Sequence, residues 1–147
     1  GLFSVPKQSI YNVGKFGVKA FTESLALEME ISESPVEVYC VFPGHIGTNI
    51  YHASKFKSFE ADDAGAAIFG ANASTIEEAA DQFKNNAPSS PEHAAKVIIK
   101  NIKKKNKRIL IGADAHFYDL MSRLFPKHFL KIIWVWPFLR NLFTRNK

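Results

Sequence analysis

Apolar residues recur every three to four positions from Ile10 to about Ile31, and good helix formers stand between them. This spacing places an apolar stripe along a helix, so the stretch predicts a single long helix. The run 36–42, which follows Pro35, is short, rich in β-branched and aromatic residues, and carries only Glu37 as a charge. A strand that is covered on both faces has this composition, so a buried parallel strand is predicted there.

The second half of the chain continues the alternation of helix and strand. Between 45 and 86, weak helical patterns are mixed with Gly, Asn and Ser, and the pattern predicts no strand. A helix is predicted from Pro91 through Ile102, with Ser90 as its N-cap. A short strand follows from Arg108 to Ile111, and then a helix from Ala115 to Phe125, which ends before a proline.

This order predicts an α/β fold with a parallel sheet. Two strands form too narrow a sheet to be stable alone. The sequence also begins at Gly1 and not at Met, and it carries no secretory signal. We therefore expect the chain to be the C-terminal part of such a fold, with the N-terminal half missing.

The composition of the 147 residues, 46% hydrophobic and 22% charged, is that of a globular protein. Cys40 is the only cysteine, which excludes an intrachain disulfide and makes a reducing, cytoplasmic setting the default expectation. The net charge is +5, and the basic excess lies mainly at 100–108 and after Lys127. Such an excess suits anionic ligands, nucleic acid or a membrane surface, and charge alone does not choose among them.

Candidate chemistry is found at the start of the first helix. Tyr11 and Lys15 are four residues apart, so their side chains share one helix face. A free tyrosine titrates near pH 10, and a close cation favours the phenolate, which makes the hydroxyl a usable proton donor nearer neutral pH. The pair suits acid–base chemistry at a carbonyl or a hydroxyl. The bland alternative is an ordinary helix surface.

The residues around this pair supply two ordered motifs. Residues 11–18 read YNVGKFGV, and residues 43–48, at the end of the next strand, read PGHIGT. In this arrangement the sequence resembles the short-chain dehydrogenase/reductase family, in which a Tyr-x-x-x-Lys begins a helix and the following strand ends in Pro-Gly with a Thr beyond it. The resemblance continues at 90–95 and 108–114 and thins out after Pro126.

The resemblance implies that the chain is the C-terminal part of a doubly wound, Rossmann-type fold. It also implies hydride transfer between a nicotinamide cofactor and a ketone or secondary alcohol. Tyr11 would be the general acid in reduction and the base in oxidation, while Lys15 would bind the nicotinamide ribose and lower the pKa of the tyrosine. Thr48 would lie near the carboxamide, and a glycine at the strand end would let backbone approach a ring closely. The residues expected to contact the cofactor are Tyr11, Lys15, Pro43, Gly44, Ile46 and Thr48.

The chain departs from the family pattern in three ways. The family's catalytic Ser lies upstream of the tyrosine at a spacing that this chain does not reach, and neither Ser4 nor Ser9 replaces it. A Gly-rich phosphate turn and its ribose-reading residue are also absent, so NAD and NADP are not distinguished. Gly14 stands where the family more often has Ser, Ala or Thr. We expect the 147 residues alone to be an inactive fragment.

The predicted organisation is one domain half at 1–126 and an apolar, basic tail at 127–147. The stretch of about 51–88 is interpreted as the substrate lid. Its larger apolar residues favour an apolar substrate, although ordinary packing of short helices explains each of them equally well. These residues are Phe56, Phe59, Ile68 and Phe69.

In the tail, Lys127, Lys131 and Arg140 alternate with large aromatic and aliphatic residues. The longest uncharged run, 132–139, contains Pro137 and is too short to cross a bilayer. Aromatic residues beside cations suit a membrane surface. Such a segment equally often covers the protein's own core or forms part of the subunit interface of a homo-oligomer. Both interpretations stay open.

Other classes of function find less support. The basic run 103–108 lacks an aromatic stacking platform, so nucleic-acid binding is not expected. His45 is a candidate for touching substrate or cofactor, but the histidines lack metal-ligand spacing, and no metal is assigned. The sequon at 72–74 has no secretory signal beside it. The rival to an enzyme is a non-catalytic, truncated protein that acts through association or membrane-surface contact.

Overall fold

The computed structural model describes residues 1–4, 8–50, 76–129 and 131. Most of the predicted lid and most of the predicted tail lie outside these residues. The elements, in chain order, are α1 (Ser9–Ile31), β1 (Cys40–Pro43), α2 (Ile76–Asn85), α3 (Pro91–Lys103), β2 (Arg108–Ile111) and α4 (Ala113–Leu124).

The two strands pair in parallel, in a register that runs from Cys40 opposite Arg108 to Pro43 opposite Ile111. The expected α/β fold with a parallel sheet is therefore confirmed, and the arrangement is that of part of a Rossmann-type fold. Residues at the carboxyl ends of both strands meet at one edge, because parallel strands point the same way. The Gly44 backbone N–H extends the ladder by donating to the carbonyl oxygen of Ile111 over 2.8 Å.

The sequence predicts that the first strand begins at Val36. In the structure it begins at Cys40. Its ladder begins where the partner strand becomes available, with the Cys40 N–H donating to the carbonyl oxygen of Lys107 over 2.9 Å. The residues before it are held by side-chain contacts instead. Glu37 pairs with Lys105 at 2.8 Å, so this segment follows the end of α3 without adding to the ladder.

The core lies where α3 packs against β2. Ile109 is fully buried, and Ile111 and Ala94 are nearly so. Half-buried apolar side chains complete this cluster: Tyr39, Ile46, Val97 and Ile98. A second, aromatic contact joins the chain start to α4, where the ring centroid of Phe3 lies 4.9 Å from that of Tyr118 and 5.4 Å from that of Phe129.

Phe129 is the apolar residue of the predicted tail that the structure describes, and it is buried. Its burial against Phe3 places the beginning of the tail on protein. Leu130 and residues 132–147 lie outside the described part of the chain, so the two interpretations of the rest of the tail stay predictions.

The first helix is where the sequence predicts it, but none of its 23 residues is buried. Phe21, on the predicted apolar stripe, is 67% exposed. The first strand is likewise less covered than expected: Phe42 is buried, whereas Val41 is 36% exposed. Parallel strands are ordinarily covered on both faces. The described residues alone therefore leave one face of α1 and part of β1 without cover.

The remaining helices show what fixes their ends. Ser90 caps α3 as predicted, since its side-chain oxygen accepts a hydrogen bond from the N–H of His93. The fourth helix begins at Ala113, two residues earlier than predicted, because Gly112 adopts a φ of +91° and turns the chain directly from strand to helix. The helix α2 was only a weak signal in the sequence. Acidic residues in its first turn and Lys84 in its last complement the helix dipole.

Replacement of Ser90 tests this account of α3. Ser90→Ala in the full-length gene product removes the acceptor for the His93 N–H and should lower the free energy of unfolding by about 1 kcal/mol. Equilibrium urea denaturation measures the change. Ser90→Asp keeps an acceptor and should be close to wild type. Equal unfolding midpoints for the alanine variant and the wild type would mean that the cap does not hold the helix.

Candidate functional site

The Tyr11 and Lys15 side chains meet on the first turns of α1. The Lys15 ammonium nitrogen lies 5.4 Å from the centroid of the Tyr11 ring, within the range of a cation–π contact. Tyr11 is 58% exposed, and Lys15 is exposed as well. The juxtaposition follows from helix geometry, since side chains four residues apart lie one above the other. A phenol and an ammonium are thus available together to a ligand from solvent.

The loop 43–48 continues from the carboxyl end of β1 and is held by the neighbouring elements. The Gly47 N–H donates to the carbonyl oxygen of Ser89 over 2.9 Å, next to a parallel bridge between Ile46 and Ser89. The Thr48 N–H donates to the carbonyl oxygen of Ile46 over 2.8 Å. With Gly44 bound to β2, the backbone of this loop is fixed on both sides of His45.

His45 is anchored twice. Its backbone N–H donates to the Oδ2 atom of Asp114 over 2.6 Å. Its Nε2 atom lies 2.7 Å from the carbonyl oxygen of Phe83, which requires the proton on that nitrogen, and the two rings are in contact at 4.2 Å between centroids. These contacts give the imidazole a role in joining the loop to α2.

The Asp114 carboxylate occupies the space between two glycines. A Cβ added to Gly44 would overlap this carboxylate, and a Cβ added to Gly112 would lie too close to its Oδ1 atom. The carboxylate stands in the first turn of α4, where the helix dipole stabilises a negative charge. Its Oδ1 atom is buried without a hydrogen-bond partner. From the sequence, Gly44 is expected to let the backbone approach the nicotinamide ring closely. The structure shows that the Asp114 carboxylate fills the space beside Gly44.

The predicted site residues fall into two groups. Tyr11 and Lys15 contact each other, and residues 43–48 form one continuous loop. In the described part of the chain, no hydrogen bond or ion pair joins the pair to the loop. Within the loop, Pro43 is exposed, Thr48 is half-buried, and the Ile46 side chain packs against the buried cluster of α3 and β2. The Ile46 side chain is thus part of the core.

Sequence reasoning missed the part that Asp114 plays. In the sequence, Asp114 is only the last residue of the stretch 108–114, in which the family resemblance continues. Its partner, His45, is 69 positions away, and nothing local signals the contact. The available hint was a short acidic residue directly after a glycine at the start of a helix, and this pattern is common at helix N-termini for other reasons.

A groove of about 410 Å³ lies at the opposite ends of the strands, between α1, Cys40 and Arg108. Its charges are already paired: Arg108 contacts Asp119 at 2.6 Å and Glu23 at 3.8 Å. Burial raises the pKa of the Cys40 thiol, and Glu23 adds to the shift. The thiol therefore stays neutral near pH 7.

Two other features are absent from the described residues. No helix in residues 1–4, 8–50, 76–129 and 131 is both long and apolar enough to cross a membrane. Across the same ranges, no three His, Cys, Asp or Glu side chains come together as a metal site.

The model of the short chain dehydrogenase family matches residues 1–58, a range that contains both the Tyr11–Lys15 pair and the loop 43–48. This part of the chain belongs to the short-chain dehydrogenase family. Two curated relatives, from the CDC 1551 and H37Rv strains of Mycobacterium tuberculosis, carry the name "Putative oxidoreductase SadH". Each is 35% identical to the chain over 133 residues, which are 90% of this chain and 44% of the relative. The chain thus spans under half the length of these relatives. No solved structure gave a significant match.

Two glycine substitutions should have opposite effects on stability. A Cβ on Gly47 would lie 2.6 Å from the backbone oxygen of Lys84, whereas a Cβ on Gly14 meets nothing within 4 Å. Because backbone cannot move aside cheaply, Gly47→Ala should lower the free energy of unfolding by about 1–3 kcal/mol. Gly14→Ala lies in a helix and should raise it by about 0.5–1 kcal/mol. Urea denaturation of both variants, made in the full-length gene product, provides the comparison. A neutral Gly47→Ala would show that the loop is not packed on α2.

Proposed function

We propose that the full-length protein is a nicotinamide-dependent oxidoreductase that interconverts a ketone and a secondary alcohol, with proton transfer through Tyr11. The observation that carries the proposal is the contact of the Lys15 ammonium with the Tyr11 ring, 5.4 Å from its centroid. This contact lies inside the range that matches the family, 1–58. The relatives' printed name, an oxidoreductase, is in keeping with the proposal.

In the reducing direction, the Tyr11 hydroxyl donates its proton to the carbonyl oxygen as negative charge develops there. In the oxidising direction, the Tyr11 oxygen accepts the proton of the alcohol. The Lys15 cation stabilises the negative charge that Tyr11 carries in either step, because opposite charges attract over this distance. A nicotinamide cofactor, when bound, supplies or accepts the hydride, which balances the proton moved by Tyr11.

The donor set at α1 fits a cofactor of this kind. Lys15 offers three N–H donors and no acceptor, which suits the hydroxyl oxygens of a ribose. The loop 43–48 lies at the carboxyl end of β1, the edge of an open parallel sheet at which ligands bind. We propose that Lys15 holds the nicotinamide ribose and that Pro43, Gly44, Ile46 and Thr48 flank the ring, chiefly through backbone. NAD and NADP are equally compatible with these residues.

The proposed substrate is an apolar carbonyl compound or its alcohol. This part rests on the composition of the stretch 51–88, whose apolar residues lie mostly outside the described residues. The exposed position of Tyr11 bears on access, since a substrate approaching from solvent reaches the hydroxyl without displacing protein.

A second candidate function, association without catalysis, is favoured by a different observation. The helix α1 has no buried residue, and its large apolar side chains lie open, including Val13 and Phe21. Apolar surface of this extent needs cover from protein or lipid. As this second candidate, we propose that the 147 residues are a truncated protein that acts without catalysis, through association or membrane-surface contact. We propose separately that the full-length protein is a homo-oligomer. Sedimentation velocity tests this, and sedimentation with anionic vesicles tests the membrane-surface alternative for the tail 127–147.

Substitutions of the pair test the catalytic role. In the full-length gene product, Tyr11→Phe should reduce turnover by at least about a hundredfold while cofactor binding is kept, since only the proton donor is lost. Lys15→Ala should reduce turnover and also weaken cofactor binding, because Lys15 is proposed both to bind the ribose and to stabilise the negative charge on Tyr11. Steady-state kinetics with a ketone panel and NADH or NADPH, together with fluorescence titration of the cofactor, separate the two effects.

The chain offers matched controls for this experiment. Tyr39→Phe removes another phenol hydroxyl, at the opposite end of β1, where it lies 2.6 Å from Glu37. Lys19→Ala removes an ammonium one turn further along α1, where it pairs with Glu23. Both controls should retain turnover. Near-normal turnover of Tyr11→Phe would remove Tyr11 from the mechanism.

The 147 residues by themselves should show no saturable binding of NAD(H) or NADP(H). The sequence contains no Gly-rich phosphate turn, and the contacts proposed here reach only the nicotinamide end of a dinucleotide. Isothermal titration of the chain, beside the full-length gene product under the same conditions, measures the difference. Micromolar binding to the 147 residues would show that the chain holds the phosphates by another route.

A further inference from the structure

We infer that Asp114 is a positioning residue for the candidate site, because its carboxylate fixes the orientation of the peptide that joins Gly44 to His45. The inference rests on the proposed function, in which the loop 43–48 flanks the nicotinamide ring. It adds a residue outside the range 1–58 that the family match covers.

This peptide is free to rotate unless another group holds it. Gly44 has no Cβ, and glycine populates both signs of φ at little cost. The peptide's N–H belongs to His45 and donates to the Oδ2 atom of Asp114 at 2.6 Å. The flanking hydrogen bonds, at Gly44 to Ile111 and at Gly47 to Ser89, fix the chain before and after this peptide but do not involve the His45 N–H.

The hydrogen bond to Asp114 sets the direction of the Gly44 carbonyl. In a trans peptide, the carbonyl points opposite to the N–H, and the structure contains no cis peptide in its described residues. The carbonyl of Gly44 therefore points away from Asp114. A rotated peptide would turn this carbonyl towards the carboxylate and would present an N–H where the loop now presents an oxygen. The recognition surface at the end of β1 thus depends on one hydrogen bond.

The space around this carboxylate is shaped for an aspartate. Two glycines from the ends of different strands leave the space, and either added Cβ would meet the carboxylate. Gly112 also has a φ of +91°, so a side chain there is strained for a second reason. A glutamate carries the same charge on a longer side chain and does not fit between Gly44 and Gly112.

The test compares two ligands in the full-length gene product. NADH and NADPH contain the nicotinamide ring, whereas ADP-ribose and its 2′-phosphate lack it. Asp114→Ala should weaken binding of the preferred reduced cofactor about tenfold, because a competent population of about one tenth raises the apparent Kd by that factor. Binding of ADP-ribose, or of its 2′-phosphate if NADPH is preferred, should be unchanged. Nicotinamide fluorescence and isothermal titration give the two constants.

Two other replacements keep the inference testable if Asp114→Ala does not fold. Asp114→Asn retains an oxygen that accepts from the His45 N–H and should bind the reduced cofactor within about threefold of wild type, since the competent population is largely kept. Asp114→Glu should bind it as weakly as the alanine variant. Cofactor binding by Asp114→Glu that equals that of Asp114→Asn would overturn the steric part of the argument.

Asp119→Asn is the matched control. Asp119 lies on the same helix, α4, and its carboxylate pairs with Arg108 at 2.6 Å and Arg123 at 3.0 Å, away from the loop. Its loss should lower thermal stability without changing the affinity for either ligand. A merely structural role for Asp114 predicts that both ligands weaken together, and that result would overturn the inference.

Failure of the proposed function gives a different pattern. If the wild-type protein binds neither NADH nor NADPH, the proposed function and the inference fall together. If the wild type binds one of them and Tyr11→Phe is inactive, but Asp114→Ala binds the cofactor as the wild type does, only the role of Asp114 is overturned.

Discussion

The parallel ladder between β1 and β2 is the contact on which the rest of this structure depends. It joins Cys40 to Arg108 and continues in register to Pro43 and Ile111. This pairing fixes where each strand ends, and so it brings the loop after β1 to the turn between β2 and α4. The hydrogen bond between His45 and Asp114 follows from that register. So does the space between Gly44 and Gly112. A slip of one residue would turn every strand side chain to the opposite face and would separate the two ends.

Local physics explains which parts of the fold the sequence predicts correctly. Ser90 and Pro91 are adjacent, and together they define the start of α3 whatever surrounds it. The strand β2 is short, apolar and followed by glycine, and its bounds are the predicted ones, Arg108–Ile111. The predicted start of β1 was wrong by four residues. A strand extends only as far as its partner strand, and the partner of β1 lies far away in the sequence. Composition cannot carry that information.

The candidate site divides along the same line. Tyr11 and Lys15 are one helical turn apart, so a sequence predicts their contact from helix geometry alone. Asp114 reaches His45 across 69 positions, and the contact exists only because two strands are aligned first. The glycine at 44 shows the limit most clearly. Absence of a Cβ signals that something approaches closely, but only the folded chain shows that a carboxylate does so from α4.

The uncovered surface of α1 bears on how the chain fares in a cell. The helix α1 has 23 residues and no buried side chain. Chaperones bind exposed apolar surface of this kind, and proteases cleave chains that expose it. The small cluster around Ile109 determines how firmly β2 and α3 stay together, but it does not shield that helix. The abundance of these 147 residues in a cell would therefore be governed by whichever surface covers α1, more than by the strength of their own core.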